Sequence, residues 1–215
     1  MVEKVVELDL KFNTEYTNKL LNNFNIFTEI YKECGYDFFK GCGSYLFDGS
    51  KYEYCDLMYE KQELLFNQVK TAQNVLEIGT YMGHSAFIML LSNPNLKITC
   101  IDIDDKYSNP SIKLLNKYFN NNITFINKDS LEALEIFQEK FDFFHIDGHH
   151  ENDYIEKEFK KIIELNNYDK NVLRVMFDDQ NCMTKLQNKI ETEYKIINKI
   201  LPKCTWNNVY YEIQL

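Results

Sequence analysis

Basic charge is scarce in this sequence. Arg174 is the only arginine, and 24 Lys and Arg stand against 33 Asp and Glu, giving a formal charge of −9 and a pI near 5.0. Extended nucleic acid is therefore not an expected partner, because no basic face is available to replace phosphate counterions. The lysines Lys157, Lys160 and Lys161 lie among acidic residues, the pattern of a solvated helix face. The six cysteines, Cys34, Cys42, Cys55, Cys100, Cys182 and Cys204, form no CxxC pair and show no zinc-ligand spacing, and no signal peptide precedes them; a reducing, cytoplasmic setting is expected. No apolar run approaches the ~20 residues that span a bilayer. Even Val2–Leu10 is broken by Glu3, Lys4, Glu7 and Asp9, so no membrane partner is expected. No internal repeat or low-complexity linker divides the 215 residues, a length that suits one α/β domain. A composition 45% hydrophobic and 15% aromatic is enough to bury a core, and homo-oligomerisation is left open.

From residue 74 onward, short β-branched runs alternate with helical spacing, the pattern of a parallel sheet covered on both faces. Strands are expected at Asn74–Ile78, Lys97–Ile101, Ile123–Ile126, Phe141–Ile146 and Val172–Phe177. Helices are expected at Ser85–Leu91, Ser111–Phe119, Leu131–Glu139, Asp153–Asn166 and near Asn181–Ile190, where apolar residues recur at three- and four-residue steps. Two further strand-like runs, Tyr194–Ile200 and Val209–Leu215, are separated by Pro202 and Asn207-Asn208 and read as a terminal hairpin. Residues 1–70 differ: a helix over Thr14–Cys34, an irregular Gly35–Ser50 and a helix over Asp56–Lys70 read as a helical cap on the sheet region 71–215. Tyr45 and Phe47 make Gly35–Ser50 a candidate lid, with core packing the alternative.

The most specific segment runs from Asn74 to Ala86, NVLEIGTYMGHSA: a buried strand, a glycine turn and a helix start. Gly79 allows close backbone approach, Gly83 a tight turn, and Ser85 sits where exposed helix N–H groups favour an anionic carboxylate. Tyr81 occupies the place of the second glycine of GxGxxG and would crowd a pyrophosphate, which disfavours a dinucleotide. At the next strand ends, Asp102 can accept both hydroxyls of a ribose, with Asp104 as the alternative, and Asp129-Ser130 can meet an adenine. Each acid alone also serves as a helix cap; three such positions at successive strand ends describe an adenosine-sized site.

These residues resemble the class I S-adenosylmethionine-dependent methyltransferases, a Rossmann-like fold with a mostly parallel seven-stranded sheet and a C-terminal antiparallel hairpin. The closer likeness, over Val75–Gln180, is to the metal-dependent O-methyltransferases typified by catechol O-methyltransferase and the macrolide-sugar O-methyltransferases. The resemblance places Glu77 and Gly79 at the cofactor turn, Tyr81 near the sulfonium methyl, Ser85 at the methionine carboxylate, Asp102 on the ribose, and Asp129 with Ser130 at adenine. Further on, FDFFHIDGHH ends in Asp147, His149 and His150, and VLRVMFDDQ ends in Asp178 and Asp179. Carboxylates converging at one sheet edge repel unless a cation holds them, and oxygen ligands suit Mg²⁺. The family carries an Asp at the fourth strand end and an Asp-Asp or Asp-Asn pair at the fifth, which Asp147, Asp178 and Asp179 match. Where the catechol enzyme has its lysine base stands His150, as in the sugar-modifying relatives, which favours a sugar or sugar conjugate over a phenol.

The implied reaction is methylation of a small-molecule hydroxyl, with Asp147 on the metal and His150 as base; His149 is the competing base. His145, inside an apolar strand, reads as a packed core histidine, and His84 as a pocket-lining residue. Two other functions are weighed: a non-catalytic binding subunit that keeps the fold, opposed by the intact Asp147, His150, Asp178 and Asp179, and a nucleotide-sugar or nicotinamide enzyme, opposed by the missing GxGxxG.

Overall fold

The computed structural model describes residues 13–166, 171–204, 206 and 208–215. Asn207 of the expected hairpin turn and the Val2–Leu10 segment lie outside the described residues. Seven strands form one sheet: β1 (Asn74–Ile78), β2 (Lys97–Asp102), β3 (Ile123–Asn127), β4 (Phe143–Ile146), β5 (Val172–Phe177), β6 (Lys195–Ile200) and β7 (Val209–Gln214). Their order is β3-β2-β1-β4-β5-β7-β6, with the first five strands mutually parallel and β7 antiparallel to both β5 and β6. This is the Rossmann-like methyltransferase fold expected from the sequence. The order reverses between β1 and β4, so the crevice above their carboxyl ends is where a ligand is expected.

Side chains alternate across the sheet as the two-residue period requires. Val75, Phe143 and Met176 enter one core, whereas Leu76, Phe144 and Val175 enter the other. The second core is covered by α6 (Ser130–Ile136), α7 (Asn152–Leu165) and α8 (Thr184–Glu193). The first is covered by α4 (His84–Ser92) and α5 (Asp105–Tyr118), on which the N-terminal helices α1 (Glu15–Asn22), α2 (Phe24–Glu33) and α3 (Tyr59–Gln68) pack. No helix among the described residues is long and apolar enough to cross a membrane, and all six cysteines are free thiols.

Several element bounds differ from the sequence pattern for identifiable reasons. The expected helix over Thr14–Cys34 breaks at Asn23, whose backbone leaves the helical region and whose amide caps the Lys19 carbonyl at 2.9 Å. The helix expected from Ser111 begins six residues earlier: Asp104 caps it through the Lys106 N–H, and Pro110 stands inside it, where its missing N–H leaves out one helical bond. The Asp56–Lys70 helix opens with a 3₁₀ turn over Asp56–Met58. Strand β4 starts at Phe143, two residues later than its apolar pattern suggests, and Phe141 instead bridges to Asn166.

Candidate active site

Gly79 is forced by its surroundings. Its φ is +81°, and a Cβ there would lie 1.9 Å from the Asp147 carbonyl oxygen. The close approach that requires glycine is thus to the loop after β4, which it joins to the glycine turn after β1. Tyr81 holds φ +46° with a side chain, a strained conformation that needs compensation. Its N–H donates to Asp102 Oδ2 at 2.7 Å, and its phenol oxygen accepts the Phe39 N–H at 2.9 Å. Its ring stacks on Phe39 with centroids 6.2 Å apart.

Asp102 is the organiser of this turn. Its Oδ2 accepts the N–H groups of Thr80 and Tyr81 and the Ser108 hydroxyl, while Oδ1 accepts the Asp104 N–H at 3.0 Å. Asp104 is occupied as the cap of α5. At the third strand end, Asp129 caps α6 through Leu131 N–H and Glu132 N–H and also receives the Tyr154 hydroxyl. Tyr154 in turn stacks on His149, with centroids 4.5 Å apart. Ser130 donates to Glu158, a fully buried acid whose pKa burial pushes up to about 7.

These strand ends border a cleft of about 380 Å³. Of the sequence-predicted residues, Gly79, Tyr81, Ser85, Asp102, Asp129, Ser130, Asp147 and His150 line it, with His149. Glu77, Gly83, Asp178 and Asp179 do not. Glu77 is fully buried beneath the turn, where its carboxylate accepts the Ser85 hydroxyl at 2.5 Å and the Cys100 thiol at 3.2 Å and lies 3.2 Å from His145 Nδ1. Gly83, at φ +69°, lies against Ser111, Ile112 and Leu115 of α5. The lining part of Gly35–Ser50 consists of Phe39, Cys42, Gly43 and Ser44. Tyr45 and Phe47 are buried, so they anchor this segment and do not act as its closing face.

His145 is the packed core histidine that its strand context predicts, and it is fully buried. Burial works against its charge, yet the Glu77 carboxylate, with Asp147 and Asp178 further off, outweighs burial and raises its pKa. Its Nε2 shares a 2.7 Å hydrogen bond with the Tyr45 hydroxyl, which also accepts the Asn208 amide at 2.8 Å. His84 is the opposite case: buried at the start of α4, it shares a 2.9 Å bond with Tyr52, and burial pulls its pKa down to about 3.

At the cleft's rim, Asp147, His150 and Asp179 converge, with one donor atom from each lying within 4.8 Å of the others. His150 Nε2 is 3.2 Å from Asp179 Oδ2 and 3.9 Å from Asp147 Oδ1. Burial and the neighbouring Asp178 charge raise the pKa of Asp147 to about 7 and that of Asp179 as well. The nearby Asp147 carboxylate, with Asp179 and Asp178, outweighs the effect of burial and raises the pKa of His150. Asp178 does not join the group. It pairs with Lys61 of α3 at 2.9 and 3.2 Å, and both side chains are nearly inaccessible. Burial disfavours the Lys61 ammonium, but the charges of Asp178 and Asp147 more than offset it and raise its pKa.

Lys61 is the residue that sequence reading missed most consequentially. The available signal was its spacing, three residues after Met58 and four before Leu65, which puts a lysine on the buried face of α3. Tyr154, Glu158 and Phe39 were also missed; they carry no pattern of their own and act only through neighbours distant in sequence.

Residues 76–173 match the sequence model of a methyltransferase domain. No curated protein sequence matches the chain. Among solved structures, an O-methyltransferase from Bacillus cereus in complex with S-adenosylhomocysteine superposes with a TM-score of 0.65 at 13% identity, covering 89% of this chain and 91% of that one. The S-adenosylhomocysteine-bound Podospora anserina methyltransferase PaMTH1 gives 0.63 at 14% identity, covering 94% and 97%. A ribosomal protein L11 methylase from Lactobacillus delbrueckii subsp. bulgaricus gives 0.56 at 17% identity, covering 74% and 80%. At these identities the likeness establishes the fold. The matched segment carries the glycine turn, both strand-end acids and the Asp147 loop, and the fold around it is that of the methyltransferases. Neighbours as different as the last of these show that such a fold does not select the acceptor.

Proposed function

We propose that this protein transfers the methyl group of S-adenosylmethionine to a hydroxyl of a small molecule, with a divalent cation at Asp147 and Asp179. The observation that carries this reading is the meeting of Asp147, His150 and Asp179 at the rim of the same cleft that Gly79, Asp102 and Asp129 border. The donor set fits a cation: two carboxylates whose pKa values are raised by burial and by the neighbouring Asp178 charge are the groups that a divalent charge would stabilise. Bound there, a cation would acidify a substrate hydroxyl.

The chain's own residues supply the rest. Asp102 holds the turn that faces the cofactor and offers its carboxylate edge to a ribose; Asp129 and Ser130 border the adenine end, where the His149–Tyr154 stack presents a flat wall. Ser85, held by Glu77, lies at the start of α4, the end suited to the methionine carboxylate. Tyr81 and Phe39 line the same cleft with their rings stacked. His150, half-exposed with a raised pKa, accepts the proton from the hydroxyl. Orienting the hydroxyl for in-line attack then contributes much of the rate. A sugar or sugar conjugate is the favoured acceptor, because His150 stands where the catechol-modifying relatives carry lysine.

The test is transfer of a radiolabelled methyl group from S-adenosylmethionine to a panel of sugar conjugates and catechols, with and without EDTA. Chelator-sensitive labelling of sugar conjugates is expected. Labelling confined to catechols would overturn the acceptor class, and full activity in excess EDTA would overturn the cation.

A further inference from the structure

We infer that Lys61 holds Asp178 out of the cation site, so that the protein's carboxylate ligands are Asp147 and Asp179 alone. The inference rests on the cation reading above and departs from the ligand set that the family likeness implies.

Both oxygens of Asp178 are already engaged. Lys61 Nζ lies 3.2 Å from Oδ1 and 2.9 Å from Oδ2, and Oδ1 also accepts the Asp179 N–H at 2.9 Å. The pair is closed to solvent, with side chains 5% and 6% exposed, whereas Asp147 and Asp179 are 30% and 31% exposed and open toward His150. Neither member of the pair is free to swing. The Lys61 ammonium lies 4.4 Å from the centroid of the Tyr45 ring, and Tyr45 is itself fixed by His145 and Asn208. Next along α3, Gln62 donates to the Tyr45 carbonyl and accepts from the Tyr16 and Tyr54 hydroxyls, which fixes the helix against this segment.

Charge counting supports the same division. Lys61 cancels Asp178, which leaves two carboxylates for one doubly charged cation. Were Asp178 to turn to the cation, a buried ammonium would lose its partner, an arrangement that proteins avoid. Lys61 is therefore a positioning residue: it makes Asp178 a fixed strut that orients the Asp179 backbone while denying the cation a third carboxylate.

The test is Mn²⁺ titration by calorimetry and electron paramagnetic resonance on the intact protein, without substrate. Asp178→Asn combined with Lys61→Met removes both charges and leaves neither orphaned; its Mn²⁺ affinity should stay within about 3-fold of the parent. Asp147→Asn and Asp179→Asn should each weaken binding by 10-fold or more. Lys61→Met alone frees Asp178 and should tighten Mn²⁺ binding, an effect that a merely structural role for Lys61 would not produce, while Lys61→Arg should keep the parental affinity. A double variant as impaired as Asp179→Asn, or a Lys61→Met that folds and binds no tighter, overturns the inference and leaves the cation reading standing. A parent protein that binds no Mn²⁺ overturns both.

Discussion

Asp102→Asn isolates what the second strand's terminal acid does. The carboxylate accepts four hydrogen bonds from the chain itself: three at Oδ2, from Thr80 N–H, Tyr81 N–H and the Ser108 hydroxyl, and one at Oδ1, from the Asp104 N–H. An asparagine amide has one acceptor oxygen. If that oxygen takes the three donors, its NH₂ faces the Asp104 N–H; if it is flipped, three donors face an NH₂. The better orientation loses one charge-assisted bond, opposes two donors and weakens the other three, for a cost of about 2 kcal/mol. In a chain of this length that corresponds to a fall in Tm of roughly 4–8 °C. The same change removes an acceptor for ribose, so affinity for S-adenosylhomocysteine should fall about 10-fold or more. Asp104→Asn is the control: asparagine caps a helix as well as aspartate, so stability should change by less than about 0.5 kcal/mol. Thermal unfolding and calorimetric titration of both variants give the answer. Equal effects at the two positions, or an unchanged cofactor affinity in Asp102→Asn, would refute the assignment.

Gly79→Ala should cost about 3 kcal/mol or more, since it combines a φ of +81° with a Cβ 1.9 Å from the Asp147 carbonyl; urea unfolding measures it, and a loss under 1 kcal/mol would contradict the geometry. His84 sets an acid limb. Its pKa falls from 6.5 to about 3 on folding, so the unfolded chain binds the proton first and stability is lost as the pH drops from 6.5 toward 3. The loss attributable to His84 is about 2 kcal/mol at pH 5, and it should be absent from His84→Gln when urea curves at pH 7 and pH 5 are compared. His150→Ala should lower turnover by about 10²–10⁴-fold with cofactor affinity retained; an unchanged rate would move the base to His149.

The sheet was legible in the sequence because its strands are short apolar runs punctuated by glycine or aspartate, and the glycine turn announced itself through Gly79. The same spacing told less about where carboxylates point. Asp102 and Asp129 were found at the correct strand ends, but their hydrogen bonds to the chain depend on loop conformations that a linear pattern does not encode. Asp178 and Asp179 looked interchangeable as neighbours. Only the fold shows that α3 sends Lys61 to one of them, a contact between residues 117 positions apart. The apolar strand context placed His145 in the core, where it is fully buried, but said nothing of Tyr45 and Glu77 on either side of the ring.

On the proposed function, S-adenosylmethionine binds in the cleft above β1 and β4. Calorimetric titration of the purified protein with S-adenosylmethionine and, separately, with NAD tests it most directly. One equivalent of S-adenosylmethionine should bind, Asp102→Asn should weaken it, and NAD should give no heat of binding. Binding of NAD with none of S-adenosylmethionine would contradict that assignment of the cleft.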